Sequence, residues 1–370
     1  MIYFDNAATG GYKPSQVLLT VSNVLKNLNF NPGRSAYDGA VLAENLIYKT
    51  REVLSKTFNN QRIERVIFTK NCTEALNLAL FGYLKEGDEV IATVTEHNSV
   101  LRPLYALEKT KNIKIKFAQL DGGLITTNSI LKLLTPKTKL IVLNAVSNVT
   151  GKTNQFNEIG KLVDCPLLVD GAQGCGHVKI NMEKQNISIL TFAGHKGLYS
   201  TQGVGGLLFN DKINIEPLLF GGSGTDSFEK VPKFYPEKLE CGTHNLSAIC
   251  SLYEGVDYME SNFSSITRKL KNYTKILIEE LTKMEIKVYS KPNPSGIVSF
   301  ELEIPSVEVS NLLWQKYSIA TRGGFHCAPL MHKALKTNKN GLCRVSLGCQ
   351  NTQREMEYFL KCLYEIKKSL

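Results

Sequence analysis

A set of polar groups in this 370-residue sequence has the residue types of a catalytic site, and each group follows a short apolar run. A turn that opens a helix can hold an anion, and a lysine can form a Schiff base with an aldehyde. A carboxylate can keep a ring nitrogen protonated. The groups are the turn N-C-T-E at 71–74, His97, Asn148, Asp170 with Gln173, and Lys196.

A mostly parallel sheet is the element that would bring these groups together. Short β-branched runs alternate with amphipathic stretches such as Glu74–Leu84 and Asn98–Glu108, which predicts an α/β fold. Ligands of such sheets bind outside the carboxyl ends of the strands, so five polar strand ends predict one shared site. The seven predicted strands are Arg65–Thr69, Glu89–Thr93, Lys114–Ala118, Leu140–Asn144, Leu167–Asp170, Ile187–Phe192 and Gly205–Phe209.

A second, smaller unit of α+β type is predicted after Asn245, where the pattern changes. A long amphipathic stretch carries Ile266, Leu270, Tyr273, Leu277 and Leu281 on one helical face, and it leads to Val288 and to Gly296–Glu303. The predicted division is a large domain at 14–250 and a small domain made of 1–13 and 251–370.

Composition excludes several classes of protein. With 43% hydrophobic and 21% charged residues the chain is an ordinary globular protein. The net charge of +10 is scattered, with no like-charge run beyond two residues, so nucleic-acid binding is not expected. The nine cysteines contain no C-x-x-C pair, which argues against a metal site. No membrane span or signal peptide is read, which predicts a cytoplasmic protein.

The cofactor that suits these strand ends is pyridoxal phosphate. No G-x-G-x-x-G follows the first strand and no G-x-x-x-x-G-K-[ST] occurs, which argues against dinucleotide and P-loop sites. A strand-end lysine, a carboxylate and an anion-holding turn match the aldehyde, the ring nitrogen and the phosphate of pyridoxal phosphate.

The chain resembles the class V aminotransferase family, and within it the cysteine desulfurases and selenocysteine lyases. The resemblance covers residue 3 to about residue 351, and it implies the fold type I of pyridoxal-phosphate transferases. R-G-G-F-H-C-A at 322–328 is similar to the R-x-G-x-x-C-A signature of the SufS-like branch. The other matching stretches are Y-F-D-N-A-A (3–8), T-E-A (73–75), E-H-N (96–98), S-N-V-T-G (147–151), D-G-A-Q (170–173) and F-A-G-H-K (192–196).

The resemblance implies a role for each residue around the cofactor ring. Lys196 would carry the cofactor as a Schiff base and, once displaced by the substrate amine, would remove the α-proton. Asp170 would pair with the ring nitrogen, Gln173 would bond the phenolic oxygen, and His97 would stack on the ring.

The phosphate would be held by Thr73 and His195, joined by Thr243 from the other subunit of a homodimer. The sequence departs from the family at Ala193, where Ser or Thr is usual and its hydroxyl bonds the phosphate. The loss of one hydrogen bond to a charged group costs about 1.5–3 kcal/mol unless another group replaces it.

The resemblance further implies that Asn148 and Arg344 bind the substrate carboxylate and that Cys327 is the thiolate that takes the sulfur. A reactive thiolate needs an electropositive setting, for which His326 and Arg322 are the expected contributors.

The predicted function is therefore a cysteine desulfurase that converts L-cysteine to L-alanine through a Cys327 persulfide and passes the sulfur to an acceptor, for which a protein is expected. The alternatives that the motifs leave open are a selenocysteine lyase acting on L-selenocysteine, another class V aminotransferase or β-lyase, and a non-catalytic scaffold with the same fold.

Overall fold

The computed structural model describes residues 1–33, 35–224 and 227–370. The strands are β1 (Ile2–Tyr3), β2 (Val66–Thr69), β3 (Glu89–Thr93), β4 (Lys114–Ala118), β5 (Thr138–Asn144), β6 (Leu167–Asp170), β7 (Ile189–Ala193), β8 (Gly205–Phe209), β9 (Lys287–Val288), β10 (Ile297–Glu301), β11 (Ile319–Ala320), β12 (Arg322–Gly324) and β13 (Leu342–Ser346). The helices are α1 (Ser15–Asn27), α2 (Asp38–Phe58), α3 (Cys72–Tyr83), α4 (Asn98–Lys111), α5 (Thr127–Leu131), α6 (Phe156–Leu162), α7 (Leu246–Lys283), α8 (Ser306–Tyr317), α9 (Pro329–Ala334) and α10 (Gln353–Lys368).

The central element is a seven-stranded sheet in the order β2-β8-β7-β6-β5-β3-β4. Only β8 runs against its neighbours, and the pairs from β7 to β4 are parallel. The predicted α/β fold with a mostly parallel sheet is confirmed. Strands β3, β6 and β7 are buried along their whole length, because a parallel sheet is covered by helices on both faces.

Helices α3 and α4 begin directly at the carboxyl ends of two strands. The Asn71 side chain caps α3 by accepting from the Glu74 amide at 3.0 Å, so the helix starts two residues before the predicted Glu74. His97 caps α4, which continues past the predicted Glu108 to a left-handed Asn112. Both helices therefore direct their N-terminal turns at the predicted site.

A second sheet, antiparallel and ordered β12-β13-β10-β9, follows helix α7. The N-terminus joins this part of the chain, because β1 pairs in parallel with β11. The predicted smaller α+β unit is present, although the boundary proposed at 250/251 falls inside α7. The division into domains at that point stays a prediction.

Helix α7 supports the segment that carries Lys196. Its Ser251 hydroxyl contacts the Ser200 hydroxyl at 2.8 Å, and Gly255 lies directly against the backbone of Leu198. The predicted apolar face from Ile266 to Leu281 is buried except at Tyr273, which is half-buried. Among the described residues, no helix is both long and apolar enough to cross a membrane.

We predict that Gly255→Ala destabilises the protein, although alanine normally favours a helix over glycine by about 1 kcal/mol. A Cβ at position 255 would overlap the Leu198 carbonyl oxygen, a backbone atom that cannot rotate away. The free energy of unfolding, measured by urea denaturation, should fall by about 2 kcal/mol or more. Ser264→Ala, an exposed site on the same helix, should change it by less than about 0.5 kcal/mol. Equal stability of the two variants would show that α7 does not lock this segment.

Candidate active site

The carboxyl ends of β3, β5, β6 and β7 surround one cleft together with the first turn of α3. Its empty volume is about 550 Å³. The structure therefore brings together groups that are up to 123 positions apart in the chain, because consecutive parallel strands end at the same edge of the sheet. Seven of the predicted site residues line the cleft: Thr73, His97, Asn148, Asp170, Gln173, His195 and Lys196.

Asp170, the last residue of β6, presents a buried carboxylate to this cleft. Its side chain accepts from the Ala172 amide at 2.9 Å and lies 3.6 Å from the Cys72 thiol. Burial raises the pKa of Asp170, and the Ala172 hydrogen bond and the nearby Lys196 oppose that rise only in part. A cationic ring nitrogen would satisfy this carboxylate, which is the pairing expected from the sequence.

Lys196 lies three residues beyond β7 and is half-buried. Burial lowers the pKa of its amine, while Asp170 acts in the opposite direction. The neutral amine is the form that attacks an aldehyde, and a lowered pKa makes that form more available. The electrostatics of the site therefore suit the Schiff-base role.

His97 is held as a neutral ring at the cleft wall. Its Nδ1 accepts from the Ser99 amide at 3.0 Å and lies 2.8 Å from the Ser99 hydroxyl. Burial, followed by the charges of Lys196 and Arg322, lowers the pKa of His97 to about 4. Because Nδ1 is an acceptor, the ring proton is on Nε2. A neutral, fixed imidazole fits the predicted stacking on a cofactor ring.

An N-terminal segment, residues 5–13, contacts two of the residues that line the cleft. The Gln173 side-chain amide donates to the Ala7 carbonyl at 2.7 Å, which leaves its second N–H for a phenolic oxygen. Nδ1 of His195 lies 2.9 Å from the Thr9 hydroxyl, and the His195 carbonyl accepts from Lys13 at 3.2 Å. The segment thus fixes the positions of Gln173 and His195.

The phosphate end of the cleft is made by the first turn of α3. The amides of Cys72 and Thr73 have no intrahelical acceptor, so they are available to an anion. Ala193 lines the cleft there without a hydroxyl. Thr191 does not replace it, because that side chain is completely buried with its hydroxyl 3.5 Å from the Cys72 thiol. The donor set as a whole fits pyridoxal phosphate.

Thr243 lies apart from the other predicted residues. It is exposed and lines a separate cleft with Leu218 and Leu219 rather than the cleft of Lys196. The base of its loop is fixed by a buried ion pair between Glu240 and Arg51. Although burial alone would raise the pKa of Glu240, Arg51 and His244 hold it at about 2.

The predicted carboxylate-binding pair, Asn148 and Arg344, is in contact. Arg344 is 1% exposed, and its Nη1 donates to the Asn148 carbonyl at 3.0 Å. Its Nη2 donates to the Asp5 carboxylate at 2.8 Å, while its buried Nε has no partner among the described residues. Burial is the main factor that lowers the pKa of Arg344, although Asp5 raises it.

Cys327 is connected to the cleft by backbone contacts. Its carbonyl accepts from the Asn98 amide at 2.7 Å, and the preceding carbonyl, of His326, accepts from the Asn148 side chain at 2.7 Å. Both His326 and Cys327 have left-handed backbone conformations, with φ of 48° and 56°. The turn that carries the half-buried thiol is therefore bonded to Asn148 and to the residue that follows His97.

Of Arg322 and His326, the two residues expected to place positive charge near Cys327, only Arg322 does so. Its Nη2 is 3.8 Å from the Cys327 sulfur. His326 does not contribute, because burial and the neighbouring Arg344 hold its pKa well below the usual range. Its Nε2 donates to the Leu342 carbonyl at 3.0 Å, so the ring acts as an anchor for the turn rather than as a cation.

Three residues at this site were not found from the sequence. Cys72 contacts Asp170, Ser99 orients His97, and Asp5 pairs with Arg344. Ser99 could have been found, since a polar residue two positions after a helix cap can reach the cap. No local pattern connects Asp5 to Arg344, because they are 339 positions apart.

Comparisons with known proteins agree with this geometry. The family model for "Aminotransferase class-V" matches residues 2–359. The chain is similar to a probable cysteine desulfurase of Borreliella burgdorferi, with 33% identity over 100% of this chain and 92% of the relative. One from Pyrococcus abyssi is 32% identical, over 100% and 95%. The solved apo structure of a cysteine desulfurase from Thermococcus onnurineus superposes with a TM-score of 0.92 at 30% identity, covering 100% of this chain and 95% of that one.

We predict that His97 makes the cofactor-free protein less stable as the pH falls from 6.5 towards 4. The unfolded chain takes up a proton near the ordinary histidine pKa, whereas the folded ring stays neutral, so the unfolded state binds more protons across that window. The free energy of unfolding of wild type should fall by up to about 1 kcal/mol per pH unit more steeply than that of His97→Gln. Urea denaturation at several pH values measures both slopes, and parallel slopes would contradict a neutral, buried His97.

Proposed function

The chain belongs to the aminotransferase class-V family, whose members depend on pyridoxal phosphate, and from that premise we propose that it is a cysteine desulfurase of the SufS-like branch. In this proposal L-cysteine is converted to L-alanine and its sulfur is transferred to Cys327. The curated relatives that carry this name support the reaction, and they align with the whole chain.

The observation that carries the proposal is the position of Cys327. Its turn is bonded to Asn98, next to the ring-facing His97, and to Asn148, next to the carboxylate-binding Arg344. A thiol held between these groups would be unexplained in a transaminase, which needs no nucleophile besides its lysine. It has a direct use where a substrate sulfur must be attacked.

The bound cofactor supplies an electron sink for the substrate carbon atoms. Asp170 would keep the ring nitrogen of that sink protonated, and His97 would stack on the ring. The Lys196 amine, with its pKa lowered by burial, accepts the α-proton of the substrate. Arg344 and Asn148 bind the substrate carboxylate and so fix which bond faces Lys196.

The sulfur transfer proceeds by attack of the Cys327 thiolate on the substrate sulfur. A bond forms between the two sulfur atoms, the bond from Cβ to sulfur breaks, and Cβ keeps the electron pair and takes up a proton. The carbon is thereby reduced to the methyl group of alanine, and Cys327 is oxidised to a persulfide. Arg322, 3.8 Å from the sulfur, stabilises the thiolate before the attack.

The persulfide must be discharged before a second turnover. A thiolate on an acceptor attacks the outer sulfur, takes it as its own persulfide and returns Cys327 as a thiol, so no further oxidant or reductant is needed. We propose a protein acceptor, since Phe325, two residues before Cys327, is 47% exposed and offers a contact surface.

We also propose that the active form is a homodimer in which Thr243 completes the phosphate site of the partner subunit. Within one chain Thr243 lines a different cleft, which supports a role for it in the site of a neighbouring molecule. Exposed apolar side chains lie on helices α1 and α2 and in the segment 218–220, part of which lines the cleft of Thr243. A homodimer interface would bury them. They are Leu18, Leu19, Leu25, Val41, Leu42, Leu218, Leu219 and Phe220.

We predict that Cys327→Ala lowers alanine release from L-cysteine by about a thousandfold or more, because the proposed nucleophile for sulfur is removed. L-Selenocysteine is assayed in parallel with the same variants. Cys165→Ala is the matched control, since this half-buried cysteine contacts the Thr138 carbonyl, away from the cleft, and its loss should leave the rate unchanged.

The two substrates separate the desulfurase from its nearest rival. Efficient use of L-cysteine that depends on Cys327 supports the proposal. A strong preference for L-selenocysteine that survives Cys327→Ala would identify a selenocysteine lyase, and the persulfide mechanism would be wrong. Activity on neither substrate would refute both.

We predict that two inactive variants restore each other when they are co-expressed. Lys196→Ala removes the Schiff-base lysine, and Thr243→Glu places a carboxylate where the partner's phosphate would be. A mixed dimer has one site with both defects and one intact site, so about a quarter of wild-type activity should return. The rate of alanine release from the mixture measures this, with each variant alone as the control. No recovery would show that Thr243 does not act across subunits.

A further inference from the structure

We infer that Asp5 is the positioning residue for Arg344: it holds the guanidinium so that the buried Nε–H stays directed at the substrate carboxylate. This inference rests on the proposed function, in which Arg344 binds the carboxylate of an amino-acid substrate. It adds a residue from the opposite end of the chain to the substrate site.

The backbone fixes Asp5 beside Arg344 before any side chain is considered. Asp5 forms a parallel bridge with Ser346, which belongs to the same strand as Arg344. The Ser346 amide donates to the Phe4 carbonyl at 2.7 Å, and the Asn6 amide donates to the Ser346 carbonyl at 3.2 Å. The backbone of Asp5 is therefore held in register with β13, which places its side chain beside Arg344.

A negative charge is needed beside Arg344 because a second arginine lies directly opposite it on the neighbouring strand. Arg322 of β12 and Arg344 of β13 are direct cross-strand partners, so their side chains leave the same face of the sheet. Like charges directly opposite each other are destabilising. The Asp5 carboxylate, bonded to Arg344 at 2.8 Å, is the anion that offsets this repulsion while no substrate is bound.

Asp5 accepts only one of the hydrogen bonds that the Arg344 guanidinium can donate. A guanidinium has five N–H donors. Nη2 donates to Asp5 and Nη1 donates to the Asn148 carbonyl, which together fix the plane of the group. Nε is buried and has no acceptor among the described residues, so its N–H is a donor that a ligand oxygen would satisfy.

Asp5 and the substrate carboxylate therefore bind Arg344 together rather than in competition. Without the negative charge of Asp5 the guanidinium would be held at Nη1 alone and repelled by Arg322, and it would turn away from its present plane. The effect should appear in recognition of the carboxylate rather than in the chemistry at sulfur, which depends on Lys196 and Cys327.

The test compares the holoenzyme with Asp5→Asn, which keeps the size of the side chain and removes its charge. The probes are L-cysteine and cysteamine, which differ only in the carboxylate, and their dissociation constants are read from the absorbance change of the bound cofactor. We expect wild type to prefer L-cysteine and Asp5→Asn to lose about tenfold of that preference. In steady state the KM for L-cysteine should rise about tenfold, with kcat within about threefold of wild type.

Two further variants keep the result open to contradiction. Asp5→Glu restores the charge and should regain most of the preference. Asp211→Asn removes an exposed carboxylate paired with Arg62 at 3.0 Å and should change nothing. An unchanged preference in Asp5→Asn, even with a lower melting temperature, would reduce Asp5 to a structural role. A stronger preference would show that Asp5 competes with the substrate.

Failure of the proposed function would look different from failure of this inference. If wild type binds L-cysteine with the expected preference and Asp5→Asn loses it, but no alanine is released, the positioning role holds and the desulfurase assignment is wrong. If wild type shows no preference for the carboxylate, Arg344 is not its receptor and the inference is overturned.

Discussion

Burial of opposite charges at the edge of one parallel sheet is the constraint on which the rest of this structure depends. Asp170 ends β6, Lys196 lies three residues beyond the neighbouring β7, and burial disfavours the charged form of each. Each group favours the charged form of the other and so opposes the effect of burial on its pKa, but only in part. A cofactor with a basic ring nitrogen and an aldehyde would suit both groups, since the nitrogen would pair with the carboxylate and the aldehyde would react with an amine whose pKa burial lowers.

This arrangement needs rigid support, and the chain provides it through backbone contacts rather than through surface ion pairs. Helix α7 packs on the segment after Lys196 so closely that residue 255 has no room for a Cβ. On the other side, residues 5–13 bond to Gln173 and to His195, the immediate neighbours of the ring site. The same segment also pairs with β13, through the bridge between Asp5 and Ser346. The first residues of the chain thus connect the cofactor cleft to the sheet that carries Arg344 and Arg322.

The sequence was sufficient to predict the sheet and most of the cleft, because both depend on short-range patterns. Each polar strand end follows its own apolar run, and parallel strands must place those ends together. The bounds of elements were less accurate, as at α3, where the cap at Asn71 decides the first turn. Pairings between distant positions could not be predicted at all, since nothing near Asp5 or Arg344 in sequence reports their contact. The charge of His326 was also unpredictable, because it depends on burial that only the tertiary fold creates.

In the proposed function, the two arginines of the antiparallel sheet would serve a reactive cysteine and a carboxylate site that lie side by side. Both leave the same face of the sheet, yet they have different partners: Arg322 approaches the Cys327 sulfur, and Arg344 is held by Asp5 and Asn148. Like charges directly opposite each other are destabilising, so each guanidinium gains from a partner of its own. In the proposed function the two anions would therefore have separate guanidiniums, Arg322 for the Cys327 thiolate and Arg344 for the substrate carboxylate.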